Sequence, residues 1–293
     1  MDNAQNNHME SRPTDQADLL RSLLASQRPL VMPDAYDALS ARLIEMAGFN
    51  AIQCSGFSMA LAARCSAETQ MTLATNLDVT GSIVQAVRIP VMADGEDGYG
   101  APEHVYTTVQ AFCKVGVAGI NLEDQMLPSP ARKQVVELSL MIEKIRAARE
   151  AAAECQLPNL LINGRTDALV AHEDRARGLQ EAIERGNHYL HAGADLIFVV
   201  GVATIAEAKR LVDEIPGPVS IAAGMPYNLR NMSIRALRDC GVARVSLPSV
   251  AIFSALKAVK RTLALIRDTE DFAEVIEQDL VGNTQDVADV LKK

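Results

Sequence analysis

With 293 residues, 48% of them apolar, and a formal charge of −9, the chain has material for one large core and lacks the positive field needed to bind a nucleic-acid backbone or an anionic membrane. Trp is absent and aromatic residues make up 4%, so the interior has to be built from Ala, Val, Leu, Ile and Met, which suits helices packed over parallel strands. The five cysteines Cys54, Cys65, Cys113, Cys155 and Cys240 are odd in number, widely spaced and free of CxxC pairing, as expected of thiols buried as small hydrophobes in a reducing cytoplasm.

Residues 1–16 are polar and carry no apolar segment of the kind a signal peptide or membrane anchor needs, so they are expected to be a disordered tail. Residues 17–268 then read as one domain. Four stretches, 47–52 (AGFNAI), 115–120 (VGVAGI), 192–197 (AGADLI) and 240–245 (CGVARV), each place a Gly between a helical pattern and an apolar run. That is the signature of a helix ending on a residue with positive φ, followed at once by a strand. Pro90, Pro158 and Pro218 stop helical patterns just ahead of three further apolar runs.

Strands are therefore expected at 29–32, 51–55, 90–94, 119–123, 160–165, 195–199, 218–222 and 244–247. The runs are apolar rather than alternating, as expected for parallel strands covered on both sides by helices. Helical faces lie between them, for example Leu39, Leu43 and Met46, or Leu179, Ala182, Ile183 and Leu190. Eight such units predict an α/β chain folded as a (β/α)8 barrel; an open doubly wound sheet is the alternative, but no GxGxxG turn follows any strand. Residues 269–293 alternate acids with Phe272, Val275, Ile276, Leu280, Val287 and Leu291, and read as an amphipathic helical appendage on the barrel or on a neighbouring subunit.

In such a barrel the residues ending each strand face the active-site mouth. The second strand ends in Ser55, Gly56 and Phe57, the third in Asp94 and Glu96, the fourth in Glu123 and Asp124, and the fifth in Arg165 and Asp167. Unpaired charges are too costly to bury, so the acids at two neighbouring strand ends either face water or hold a cation. Oxygen donors without His or Cys favour Mg2+, with Mn2+ possible, and an arginine opposite suits a small oxygen-rich anion such as a 2-oxo or 2-hydroxy acid.

Simpler roles compete for individual residues. Asp97, Asp124 and Asp167 taken singly suit helix N-caps, while Asp34, Tyr36 and Asp37 suit a turn or cap as well as the barrel mouth. His104 and His172 read as surface residues, Gly98 and Gly100 as hinges of a sharp loop, and Arg132-Lys133 as a solvated basic pair.

The stretches 36–49 (YDALSARLIEMAGF), Ser55-Gly56, 90–100 (PVMADGEDGYG), 116–125 (GVAGINLEDQ) and 163–168 (NGRTDA) resemble, in order, the motifs of the isocitrate lyase and phosphoenolpyruvate mutase superfamily. The resemblance implies a Mg2+-dependent barrel that stabilises an enolate of a 2-oxo acid while a C–C or P–C bond breaks or forms. It implies Asp94, Glu96 and Glu123 as metal ligands, directly or through water, and Ser55, Gly56, Phe57 and Arg165 as substrate-binding groups, with Asp94, Glu123 and Arg165 in the catalytic role. It further implies a homotetramer, a dimer of dimers that exchanges its C-terminal helices. Two departures stand out. Glu96 occupies the place of a usual Asp, and 125–133 (QMLPSPARK) lacks both the Lys-Lys/Arg-Cys-Gly-His gate of the lyases and the Asn-Ser pair of the mutases. The expected activity is a lyase or decarboxylase acting on a small 2-oxo or 2-hydroxy dicarboxylate; a phosphonopyruvate-type mutase or hydrolase and a non-catalytic metabolite-binding barrel are the alternatives.

Overall fold

A computed structural model describes residues 13–65, 70–127 and 133–292. Eight strands, β1 (Leu30–Ala35), β2 (Ile52–Cys54), β3 (Val91–Asp94), β4 (Gly119–Glu123), β5 (Leu161–Thr166), β6 (Leu196–Val199), β7 (Val219–Ala222) and β8 (Arg244–Leu247), pair in parallel in chain order and close with β8 on β1. Around them run α1 (Pro13–Ser26), α2 (Ala38–Met46), α3 (Gly56–Ala62), α4 (Leu73–Ala86), α5 (Pro102–Val115), α6 (Leu138–Glu154), α7 (Ala168–Ala171), α8 (Arg175–Ala192), α9 (Ile205–Glu214) and α10 (Ile234–Asp239). The chain finishes in α11 (Val250–Thr269), α12 (Ala273–Glu277) and α13 (Thr284–Leu291). The (β/α)8 barrel expected from the sequence is the observed fold. The glycines at the four helix-to-strand joints adopt positive φ, at 85° for Gly48, 93° for Gly116, 114° for Gly193 and 90° for Gly241, so each turns a helix end into the next strand without a Cβ clash.

Two apolar layers hold the barrel. Between sheet and helices, residues such as Phe112, Ile120, Ile145, Ile162, Ile183 and Ile197 form the main outer core. Inside the N-terminal end, Leu30, Met92, Leu161 and Leu196 meet Leu20 and Leu24 of α1, which plugs the barrel bottom. Arg21 fixes the plug by an ion pair to Asp195 (2.9 Å) and a hydrogen bond donated to the Asn159 carbonyl (2.6 Å). Residues 13–16, read from sequence as tail, thus belong to the first turn of a packed helix, and 1–12 lie outside the described residues.

Two further sequence expectations are corrected. Leu39, Leu43 and Met46 are 54%, 50% and 46% exposed, while Ser40, Ala41 and Ile44 form the inward face of α2. Periodicity reveals an apolar stripe but not the direction it faces, and here the small Ser40 and Ala41 sit on the buried side. At the C-terminus, α11 runs unbroken across the 268/269 boundary and buries no residue, and Val275 is the buried side chain of α12. Leu256, Val259, Leu263, Ile276 and Leu291 stay exposed along the outer face of these terminal helices.

Candidate active site

The strand ends surround a cavity of ≈ 270 Å³, lined by groups that include Asp34, Ser55, Phe57, Asp94, Glu96, Lys133 and Arg165. Because β3 ends at Asp94, that carboxylate stands at the rim with only 9% exposure. Its Oδ2 accepts from the Gly56 N–H at 2.9 Å, and its Oδ1 accepts from Asn121 Nδ2 at 3.3 Å. Asn76 Nδ2 donates to the Asp94 carbonyl (2.8 Å) and to the Tyr99 hydroxyl (2.9 Å), tying α4 to the loop after β3.

Glu96 sits in that loop at φ 50°, in a turn closed by Gly98 N–H on the Gly95 carbonyl (2.8 Å). Its carboxylate lies over Gly56: a Cβ there would come within 1.8 Å of Glu96 Oε1 and 3.2 Å of Asp94 Oδ2. Absence of a side chain at Gly56 is what lets both carboxylates converge, and the longer Glu reaches the position by using that gap.

The opposite wall is an ion-pair chain. β4 and β5 set Glu123 beside Arg165 in register, and Arg165 Nη1 meets Glu123 Oε2 at 2.5 Å. Arg165 Nε and Nη2 both reach the Asp167 carboxylate, at 2.9 Å and 3.3 Å, a forked pairing that fixes the guanidinium plane. Lys133 Nζ closes on Asp167 Oδ2 at 2.5 Å and also reaches Gln125. Burial opposes ionisation of Asp167, yet Arg165 and Lys133 together hold its carboxyl below the usual range. Burial pushes Glu123 up to about 8 despite Arg165.

Asp124 and Asp167 do not serve as the side-chain N-caps their sequence context suggested. Asp124 is fully buried; its Oδ1 accepts from the Asp167 N–H (2.9 Å), and its Oδ2 accepts from the Tyr189 hydroxyl (2.6 Å) and Arg185 Nη1 (3.3 Å). Asp167 precedes α7 without capping it, because its oxygens are committed to Arg165 and Lys133. Asp97 likewise leaves α5 uncapped and instead accepts from the Tyr99 N–H (3.0 Å) and pairs with Lys144 at 3.5 Å.

Ser55 and Gly56 are at the mouth, but their groups are engaged locally: Ser55 Oγ caps α3 by accepting from the Ser58 N–H (3.2 Å), and the Gly56 N–H is on Asp94. The Phe57 ring stands at the rim, edge-on to Phe253 with centroids 6.1 Å apart.

Three residues set aside or overlooked in the sequence belong to the site. Lys133, read as half of a solvated pair, lines the cavity two residues before Val135, which bridges to Gln125; its neighbour Arg132 lies outside the described residues. Asp34 enters because β1 continues through Pro33 to Ala35, three residues beyond the expected end. Its Oδ1 accepts from the Ser246 hydroxyl (2.9 Å), and burial drives its carboxyl up to about 8. Asp37, by contrast, caps α2 as its context suggested. Beneath the cavity, the fully buried Arg244 donates to Gln53 Oε1 (2.8 Å) and Ser220 Oγ (3.1 Å), and burial pulls it down to about 10. Its signal in the sequence was a lone arginine opening an apolar strand.

The donor set suits a hard divalent cation. Asp94 and Glu96 converge at Gly56 on one wall of the cavity and both offer carboxylate oxygens, the donors such an ion prefers. Among the described residues no three acid, His or Cys side chains form a closed ligand cage. Mg2+ does not require one, since it commonly takes one or two carboxylates and completes its shell with water and substrate oxygens.

The family model described as phosphoenolpyruvate phosphomutase matches residues 20–267. The chain is 30% identical over 266 residues to 2,3-dimethylmalate lyase of Eubacterium barkeri, covering 88% of each protein, and 32% identical over 257 residues to 2-methylisocitrate lyase of Halalkalibacterium halodurans, covering 86% of this chain and 82% of that one. A crystal structure of phosphonopyruvate hydrolase in complex with oxalate and Mg2+ superposes with a TM-score of 0.82 at 28% identity over 94% of both chains. No described helix is long and apolar enough to cross a membrane. The match across the whole barrel, together with acids at the β3 and β4 ends and an arginine at the β5 end, makes this chain an enzyme of the isocitrate lyase and phosphoenolpyruvate mutase superfamily.

Proposed function

We propose that the protein is a Mg2+-dependent carbon–carbon lyase or decarboxylase of a small 2-oxo or 2-hydroxy dicarboxylic acid. The observation that carries this reading is Arg165, clamped between Glu123 and Asp167 and facing the converging carboxylates of Asp94 and Glu96 across one cavity. Asp94 and Glu96 would hold the ion, with Glu123 completing the set through water; Mn2+ would suit the same oxygens. When bound, the ion supplies Lewis-acid polarisation of the substrate's 2-oxygen.

The chain's own residues do the rest. Arg165 and Lys133 offer positive charge to the substrate carboxylate and to the oxygen on which charge develops. Both are held by Asp167, whose backbone N–H donates to Asp124, a carboxylate anchored in turn by Tyr189 and Arg185, so little reorganisation accompanies the reaction. In decarboxylation the C–C electron pair passes into the enolate, CO2 departs, and a solvent proton adds to the carbon, so no dedicated thiol acid is required. Phosphonopyruvate chemistry is the second reading. It is favoured by Lys133, which gives the cavity a second cation able to meet a phosphoryl group.

The test is a Mg2+-dependent assay of the full chain against oxaloacetate, alkylated malates, methylisocitrate and phosphonopyruvate. Turnover of a carbon acid that disappears in Asp94→Ala, with the far-UV spectrum retained, is expected. Turnover of phosphonopyruvate alone would transfer the assignment to the second reading, and activity surviving in Asp94→Ala would refute the ion's place. For assembly, we propose a homotetramer in which a second copy covers the outer apolar face of α11 to α13.

A further inference from the structure

The cavity is divided electrically. Its charged lining residues, Asp34, Asp94, Glu96, Lys133 and Arg165, come from β1, β3, β5 and the loops after β3 and β4. From β6 onward no described lining residue carries a charge: Phe198, Val200, Met225, Pro226, Pro248 and Phe253 make most of the wall, and Tyr227, Ser246 and Ser249 are its hydroxyl-bearing members. Of the three hydroxyls on that side, Ser246 Oγ donates to Asp34 (2.9 Å), Ser249 Oγ to Met225 Sδ (3.7 Å), and the Tyr227 hydroxyl meets the Gly201 backbone. Across the mouth, Phe57 from the start of α3 meets Phe253 edge-on, extending the apolar wall to the rim.

A bare four-carbon diacid fits this division poorly. Both of its carboxylates belong with Arg165, Lys133 and the ion, and it has nothing left to place against β6 to β8. The nearest guanidiniums, Arg165 and Arg244, stand over the Phe198 ring at 5.9 Å and 6.0 Å from its centroid, so a carboxylate set farther along the wall, against Val200, Met225, Pro248 and Phe253, would lie on apolar side chains, an expensive arrangement in a buried site. Water there would also find few partners, since an ordered water needs two to four polar neighbours. The wall is satisfied by hydrocarbon.

We infer that the substrate bears an apolar substituent larger than methyl, a branched alkyl or aryl group, which lies against Phe198, Met225 and the Phe57–Phe253 pair while its acid end faces Arg165. This rests on the lyase reading above and specifies its substrate class. Each methylene moved from water onto the wall gives about a fourfold gain, equivalent to ~0.8 kcal/mol. An isopropyl or phenyl group is thus favoured by roughly tenfold or more over hydrogen.

Two series test this on the full chain with Mg2+. The first is kcat/KM for malate and oxaloacetate against their 3-methyl, 3-isopropyl and 3-phenyl derivatives. The second is calorimetric affinity for pyruvate, 3-methyl-2-oxobutanoate and phenylpyruvate. Both series are expected to rise with apolar size, and Phe253→Ser should reduce the ratio of the phenyl to the unsubstituted compound at least threefold. Unsubstituted acids handled as well as, or better than, the bulky ones would overturn the inference while leaving the lyase reading intact. Turnover of no carbon acid in either class would overturn both.

Discussion

Replacing Asp34 by Asn should change how the stability of the protein depends on pH. Asp34 is 4% exposed at the end of β1, and burial raises its carboxyl from 3.8 to about 8, more than Arg244 and the Ser246 hydrogen bond can offset; Asp94 adds to the rise. In the unfolded chain the same carboxyl ionises near its ordinary value. Between those two values the folded state therefore binds the proton that the unfolded state has released. The stability contribution is complete below the unfolded value and is lost as pH rises towards 8. At 1.36 kcal/mol per pH unit the ceiling is about 6 kcal/mol, and relaxation with the high effective dielectric of real protein sites brings the expectation nearer ~3 kcal/mol. The amide of Asn keeps a carbonyl oxygen for Ser246 but does not titrate. The chain has no Trp, so the assay is urea unfolding followed by circular dichroism, from pH 5 to 8, in EDTA and at one protein concentration. The wild-type curve should fall relative to Asp34→Asn across this window. Parallel curves would refute the assignment of Asp34 as a neutral cavity carboxyl.

Other changes reach other parts of the site. Gly56→Ala would bring a Cβ to 1.8 Å from Glu96 Oε1, so the carboxylate must withdraw; Mg2+ affinity by calorimetry should fall tenfold or more, by about the amount seen when a ligand's support is lost, while Tm changes little. Unchanged affinity would exclude Glu96 from the ion's shell. Tyr189→Phe removes the 2.6 Å hydrogen bond to the buried Asp124 and should cost about 1–3 kcal/mol in urea unfolding. A loss too small to measure would mean that Arg185 alone satisfies that carboxylate. Light scattering should give a mass above that of one chain, shifted towards monomer by the pair Leu256→Asp and Leu263→Asp on the exposed face of α11. A monomeric wild type would dispose of the proposed assembly.

Much of the barrel was legible because its signals are local. Gly116, Gly193 and Gly241 mark helix ends through a backbone angle, and Pro90 and Pro218 mark strand starts through a missing N–H, so each acts within a few residues of itself. Asp94, Glu96, Glu123 and Arg165 could be placed at the mouth for the same reason: once a strand's end is known, so is the side of the barrel its last residue occupies. Lys133 and Asp34 were harder to place. Lys133 gains its role from Asp167, 34 residues away, and Asp34 from Ser246, 212 residues away. The inward turn of Ser40 and Ala41, in place of Leu39 and Leu43, depended on which face of α2 the closed barrel could admit. The sequence by itself determined the order of the units and the ends of β3 and β4 with the acids at them, since bonded neighbours and hydrogen-bonding capacity act locally. Tertiary structure alone decided that Asp124 is a strut rather than a cap, that Lys133 faces inward and that charge gathers on one half of the cavity, because these depend on closure of β8 on β1 and on register between distant strands.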